Sequence, residues 1–160
     1  MMKRNRTTHW LAMASLLVLS APAVADDGKM ISSAICQAMS PWGVDHLTNN
    51  GSSLQAVGGN VTVICPIVKD SLGGTMNWVD VRHLRPPNGA GQVVSGRVHA
   101  CSAVDGGCFQ SPLSSTSSSN QFTSVHPTTT SLPHSSDFYF YYRSDLPQDW
   151  KIIALEYEEN

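Results

Sequence analysis

The groups in this chain that could do chemistry are its histidines, its four cysteines and one stretch, Trp78-Val79-Asp80-Val81-Arg82, with His83 and Arg85 close by. If Val79 and Val81 point inward, Trp78, Asp80 and Arg82 point outward. An exposed tryptophan beside charged groups suits sugar stacking or a protein hot spot. Tyr139 and Tyr141, in Asp137 to Arg143 (DFYFYYR), offer a similar face on another strand. The plainer alternative is that Trp78 is core, or is covered by the serine-rich segment that follows, since large aromatics are mostly buried.

Nucleophilic catalysis has no local support. There is no G-x-S-x-G, and Ser95 sits in "VVSGR", inside a strand pattern. No spacing ties a serine to His46, His83, His99, His126 or His134, and a triad is recognised by geometry. There is no H-E-x-x-H. His83 and His99 fall on neighbouring expected strands and could meet across a sheet, but no third ligand is indicated. Asp105 in "VDGG" is a lone carboxylate without the alternating Asp/Asn ladder of a calcium loop. Glu156, Glu158 and Glu159 read as a solvated strand face that discourages edge pairing. No local spacing brings two carboxyls together for glycoside hydrolysis. No catalytic residue, metal ligand or cofactor is therefore expected.

The cysteines are Cys36, Cys65, Cys101 and Cys108, an even number without a C-x-x-C. In an exported chain this reads as disulfides rather than zinc, and paired cysteines leave no thiolate for catalysis. Of three connectivities, proximity across a hairpin favours Cys101 with Cys108, which leaves Cys36 with Cys65.

Export is indicated at the start of the chain. Lys3, Arg4 and Arg6 precede an apolar run, Leu11 to Leu19, and Ala23-Val24-Ala25 is an A-x-A cleavage pattern. Residues 1–25 are expected to be a secretory signal peptide, and residues 26–160 a single domain. The apolar run is far short of the ~20 residues of a spanning helix. Without the three basic residues of that segment, seven Lys and Arg remain of ten, against twelve Asp and Glu, a net charge of −5. An acidic surface disfavours nucleic acid as a partner.

The elements that must position these groups are strands. Short alternating runs recur between Gly, Pro, Asn and Ser, and none has helical periodicity. The runs are Val61–Ile67, Thr75–Leu84, Gln92–Cys101, Asp137–Arg143 and Lys151–Glu159. In the last, Ile153, Leu155 and Tyr157 are expected to be buried. Pro66 should mark a bulge or strand end, and Gly96 a bulge. Residues 111–136, rich in Ser, Thr and Pro, read as an exposed loop with one strand candidate at Gln121–Val125. With six to eight strands and no helix to cover them, the expectation is an all-β, antiparallel, disulfide-stabilised sandwich, Ig-like or jelly-roll-like, with a barrel second.

Val61 to Asp70 matches V-x-V-x-C-P-[LI]-x-[RK]-[DS]. With Cys36 early in the chain, an Asn/Ser-rich stretch, Leu146-Pro147 and the tail "IALEYEE", it resembles a group of small secreted bacterial β-sandwich proteins without an assigned reaction. The resemblance covers most of residues 30–159. The chain departs from that group in lacking a cysteine in "YFYYRSDLP" and in carrying Cys108. It implies bacterial export and a sandwich fold.

The expected function is a non-catalytic structural or protein-binding module, secreted or periplasmic, whose partner is an envelope or extracellular protein or a glycan. The alternatives are a carbohydrate-binding module using Trp78, Tyr139 or Tyr141, and a small secreted hydrolase.

Overall fold

The computed structural model describes residues 27–70, 74–89, 91–116 and 121–159, so the signal-peptide reading of residues 1–25 lies outside the described residues. No helix among the described residues is long and apolar enough to cross a membrane. The long strands are β1 (Asp27–Ser32), β5 (Val61–Ile67), β6 (Met76–Leu84), β7 (Val94–Ser102), β11 (Phe138–Leu146) and β12 (Lys151–Glu159). Between them lie short ones: β2 (Gln37–Ala38), β3 (Leu47–Asn49), β4 (Leu54–Ala56), β8 (Cys108–Gln110), β9 (Ser114–Thr116) and β10 (Phe122–Val125). A one-turn helix, α1 (Pro41–Val44), is capped by the Ser40 side chain, which accepts from the Gly43 amide.

These strands make two antiparallel six-stranded sheets. Sheet one runs β10-β6-β12-β4-β3, with β1 also beside β12. Sheet two runs β2-β5-β11-β7-β8, with β9 also on β7. The chain is thus an antiparallel β-sandwich. Twelve strands among the described residues exceed the expected six to eight. Of the additional ones, β1 has six residues and the others two or three, too short for a period-2 signal.

The core lies between the sheets. Val61, Val63, Cys65, Val98, Phe140, Tyr142 and Leu146 of sheet two meet Val79, Val81, Ile152, Leu155 and Tyr157 of sheet one. Trp150, fully buried, donates from Nε1 to Gln92 Oε1 at 2.7 Å, which satisfies its polar edge.

Three local readings change. The register of β12 on β6 shifts between Ile152 and Ala154, so Ile152 is buried and Ile153 is only half-buried. A bulge adds one residue and reverses the faces, which alternation alone does not reveal. β5 continues through Pro66 to Ile67 without a bulge, because β2 pairs only with Val63 and Ile64. At Pro66 the strand has one open side, where a missing N–H costs no ladder bond. Gly96 stays in regular register opposite Ser144. It is glycine because a Cβ there would overlap the Tyr142 ring.

Gly96→Ala should therefore lower stability by about 2 kcal/mol through overpacking. Gly28→Ala, where a Cβ meets nothing within 4 Å, is the control. Urea unfolding midpoints compare the two, and equal midpoints would contradict this account.

Cys36 is bonded to Cys65, and Cys101 to Cys108. The first bond sits beside the β2–β5 pairing and holds the N-terminal arm on sheet two. The second joins directly opposed residues of the β7–β8 hairpin.

Candidate functional site

On β6, Val79 and Val81 are fully buried, which turns Trp78, Asp80 and Arg82 to the outer face of sheet one. Trp78 is 37% exposed. The β12 register sets Glu158 opposite Trp78 and Glu156 opposite Asp80. Trp78 Nε1 donates to Glu158 Oε2, and Asn77 Nδ2 donates to Glu158 Oε1 at 2.9 Å. One carboxylate thus fixes the indole. Arg82 Nη2 reaches both oxygens of Glu156, at 2.9 and 3.0 Å.

The third wall comes from the serine-rich segment. β10 pairs with β6 and places Ser124 opposite Arg82. Ser124 Oγ donates to Asp80 Oδ2 at 3.2 Å. His126 Nδ1 stands 3.2 Å from Asp80 Oδ1, within ion-pair distance but not aligned as a hydrogen bond. Past β10, Thr128 makes a single bridge to Trp78. Trp78, Asp80, His126, Pro127, Thr128 and Glu156 enclose a groove of about 450 Å³.

Ser124, Asp80 and His126 supply the residue types of a hydrolytic triad in the wrong order. The imidazole must contact the serine, with the carboxylate behind it. Here the carboxylate stands between the other two and itself accepts the serine hydrogen bond. It holds the hydroxyl without activating it.

Trp78, Asp80 and Arg82 are brought together, but the tyrosines are elsewhere. Tyr139, 55% exposed, and Tyr141 lie on the outer face of β11, in the other sheet and on the opposite side of the sandwich. Tyr141 stacks on His99 with ring centroids 4.8 Å apart and planes 3° apart. Tyr139 follows at 6.5 Å.

His83 and His99 do not meet. β6 and β7 are consecutive in the chain but belong to different sheets, and His83 faces the core while His99 lies on the outer side. No group of three His, Cys, Asp or Glu among the described residues is arranged to hold a metal. The acidic tail also differs from its expected role. β12 is an interior strand between β6 and β1, so Glu156 lines the groove, Glu158 holds the Trp78 indole, and Glu159 is buried beside Lys29.

Residues that sequence reasoning missed are Glu156, Glu158 and His126 of this groove, and Trp42. Trp42 is 54% exposed, stacks on His46 at 3.9 Å and packs against Gly59. The Glu156/Glu158 alternation was visible, but its cross-strand partners were not.

No protein-family model matches the chain, and no curated protein matches it significantly.

Proposed function

We propose that this chain is an exported, non-catalytic binding module that captures a cationic side chain of a partner protein in the Trp78 groove. The observation that carries this reading is Asp80 Oδ1, a buried carboxylate oxygen that accepts no aligned hydrogen bond, beside a half-exposed indole. Two carboxylates, on Asp80 and Glu156, line the groove; Glu158 holds the Trp78 indole beside it, and the Arg82 guanidinium is paired with Glu156. A lysine or arginine placed there would find an acceptor without an aligned hydrogen bond, with only the His126 ring nearby, and a ring face for cation–π contact. Two disulfides and the likeness of Val61–Asp70 to secreted bacterial proteins support the extracellular or periplasmic setting.

A neutral sugar is the second reading. It is favoured by the indole being held by Glu158, a pre-oriented platform for stacking.

The test is an NMR titration of the disulfide-intact protein with a tri-arginine amide peptide and, separately, a neutral trisaccharide. Peptide binding that shifts the Trp78 indole N–H and weakens about tenfold in Asp80→Asn and in Trp78→Ala is the expected result. Trisaccharide binding alone selects the second reading. No response to either probe overturns both.

A further inference from the structure

The outer face of sheet two carries a feature that the Trp78 groove leaves unused. Arg97 on β7 and Arg143 on β11 are direct cross-strand partners. Both side chains share that outer face, since Val98 and Tyr142 between them are buried in the core. Like charges directly opposite destabilise a sheet. An anion between them would relieve this, yet neither guanidinium has an ion-pair partner among the described residues. Asp145, two residues along β11, receives Thr62 Oγ1 at 2.8 Å instead. The two arginines, Ser95, Gln110, Leu113 and the Asp145 carboxylate line a cleft of about 200 Å³.

The next pair along the same strands is aromatic. His99 and Tyr141 are direct partners and stack, and Tyr139 continues the row. His99 is 7% exposed and its Nε2 has no hydrogen-bond partner. Burial and then the charges of Arg143 and Arg97 hold its pKa below the usual value, so the imidazole stays neutral beside them. A pair of residues spaced two apart along a strand advances about 6.6 Å. That step separates the cationic pair from the aromatic one on a single solvent-facing row.

We propose that this row is a binding site for a sugar chain bearing carboxylate or sulfate groups, with Arg97 and Arg143 taking the anion and Tyr141 and Tyr139 the neighbouring ring. Two adjacent guanidiniums match a two- or three-oxygen anion better than a neutral hydroxyl. The tyrosines supply apolar contact for a pyranose face, with hydroxyls for its polar rim. The site is independent of the Trp78 groove, which lies on the other sheet.

The test uses the disulfide-intact protein in isothermal titration with trigalacturonate, a sulfated disaccharide, a neutral trisaccharide, an acidic tri-glutamate peptide and inorganic sulfate. One or both charged sugars should bind, which of them identifying the anion. The neutral sugar should show no binding that depends on Arg97 or Arg143, and sulfate alone should bind at least about tenfold more weakly. Arg97→Gln and Arg143→Gln should each weaken the charged sugar about tenfold or more. Tyr141→Leu should weaken it without changing sulfate binding, and Met30→Ala, an exposed change on the other sheet, should leave it unchanged. Circular dichroism of each variant reports the fold. No charged-sugar binding, binding indifferent to both arginine variants, or sulfate binding as tightly as the sugars would each overturn the proposal. So would an acidic peptide that occupies the arginines where the charged sugars do not.

Discussion

Replacing Cys36 and Cys65 together by alanine is expected to lower the free energy of unfolding by about 3.5 kcal/mol. The two residues are 29 apart in sequence, so the bond removes a sizeable closed loop from the freedom of the unfolded chain. The Cys101–Cys108 bond spans only seven residues, and its removal should cost about 2.5 kcal/mol. Location adds to the difference. Cys65 is buried at the centre of the core, whereas Cys108 is exposed on a three-residue strand. Removing the first bond also leaves the Cys36 arm held by β2, a pairing of two residues with β5. Guanidinium unfolding of the two double variants measures both values. Equal losses, or a larger loss for the hairpin bond, would contradict the assignment of Cys36–Cys65 as the main clamp.

The second large effect is loss of stability in mild acid through His83. Its side chain is fully buried in the core, and burial lowers its pKa from 6.5 to about 4. The Val81 carbonyl, 2.9 Å from Nδ1, opposes that shift only in part. Nε2 has no partner, and the nearby Tyr142 hydroxyl is itself pushed upward in pKa by burial. Below pH 6.5 the unfolded chain takes up a proton at this histidine while the folded chain does not. Stability is therefore full above pH 6.5 and falls progressively toward pH 4, by about 3 kcal/mol for a shift of this size. His83→Gln should flatten that decline. A smaller slope should remain from His99 and His134, whose pKa values are also lowered, chiefly by burial. Chemical unfolding from pH 7 to pH 4 checks this, and an unchanged acid slope in the variant would refute it.

How much was legible beforehand differs from residue to residue. Val79 and Val81 alternate with Trp78, Asp80 and Arg82 over a run without bulges, so their inward and outward directions followed from the period of two. Ile152 and Ile153 could not be assigned that way. A bulge depends on how β12 pairs with β6, and the sequence of β12 alone contains no trace of its partner. Residues 111–136 read as a loop with one strand candidate at Gln121–Val125, and that strand is present as Phe122–Val125; its pairing with β6, which carries His126 to Asp80, had no local signal. Cross-strand hydrogen bonds supply there what local propensity does not.

The same boundary separates the architecture from the site. Alternating apolar residues between turn formers, with no helical run, already favoured two sheets packed face to face over a barrel. Burial of apolar side chains is a property of each strand, and it is written in that strand's own residues. Which strands become neighbours is a property of pairs far apart in the chain. Trp78 and Glu158 are 80 residues apart, yet one hydrogen bond joins them. His83 and His99 are only 16 positions apart by number and end in different sheets. Strand order alone put the tyrosines on the opposite face from Trp78, gave Trp78 its carboxylates, and set Arg97 against Arg143. Those pairings are chosen by the packing of the whole sandwich, where hydrophobic burial dominates and short polar contacts follow.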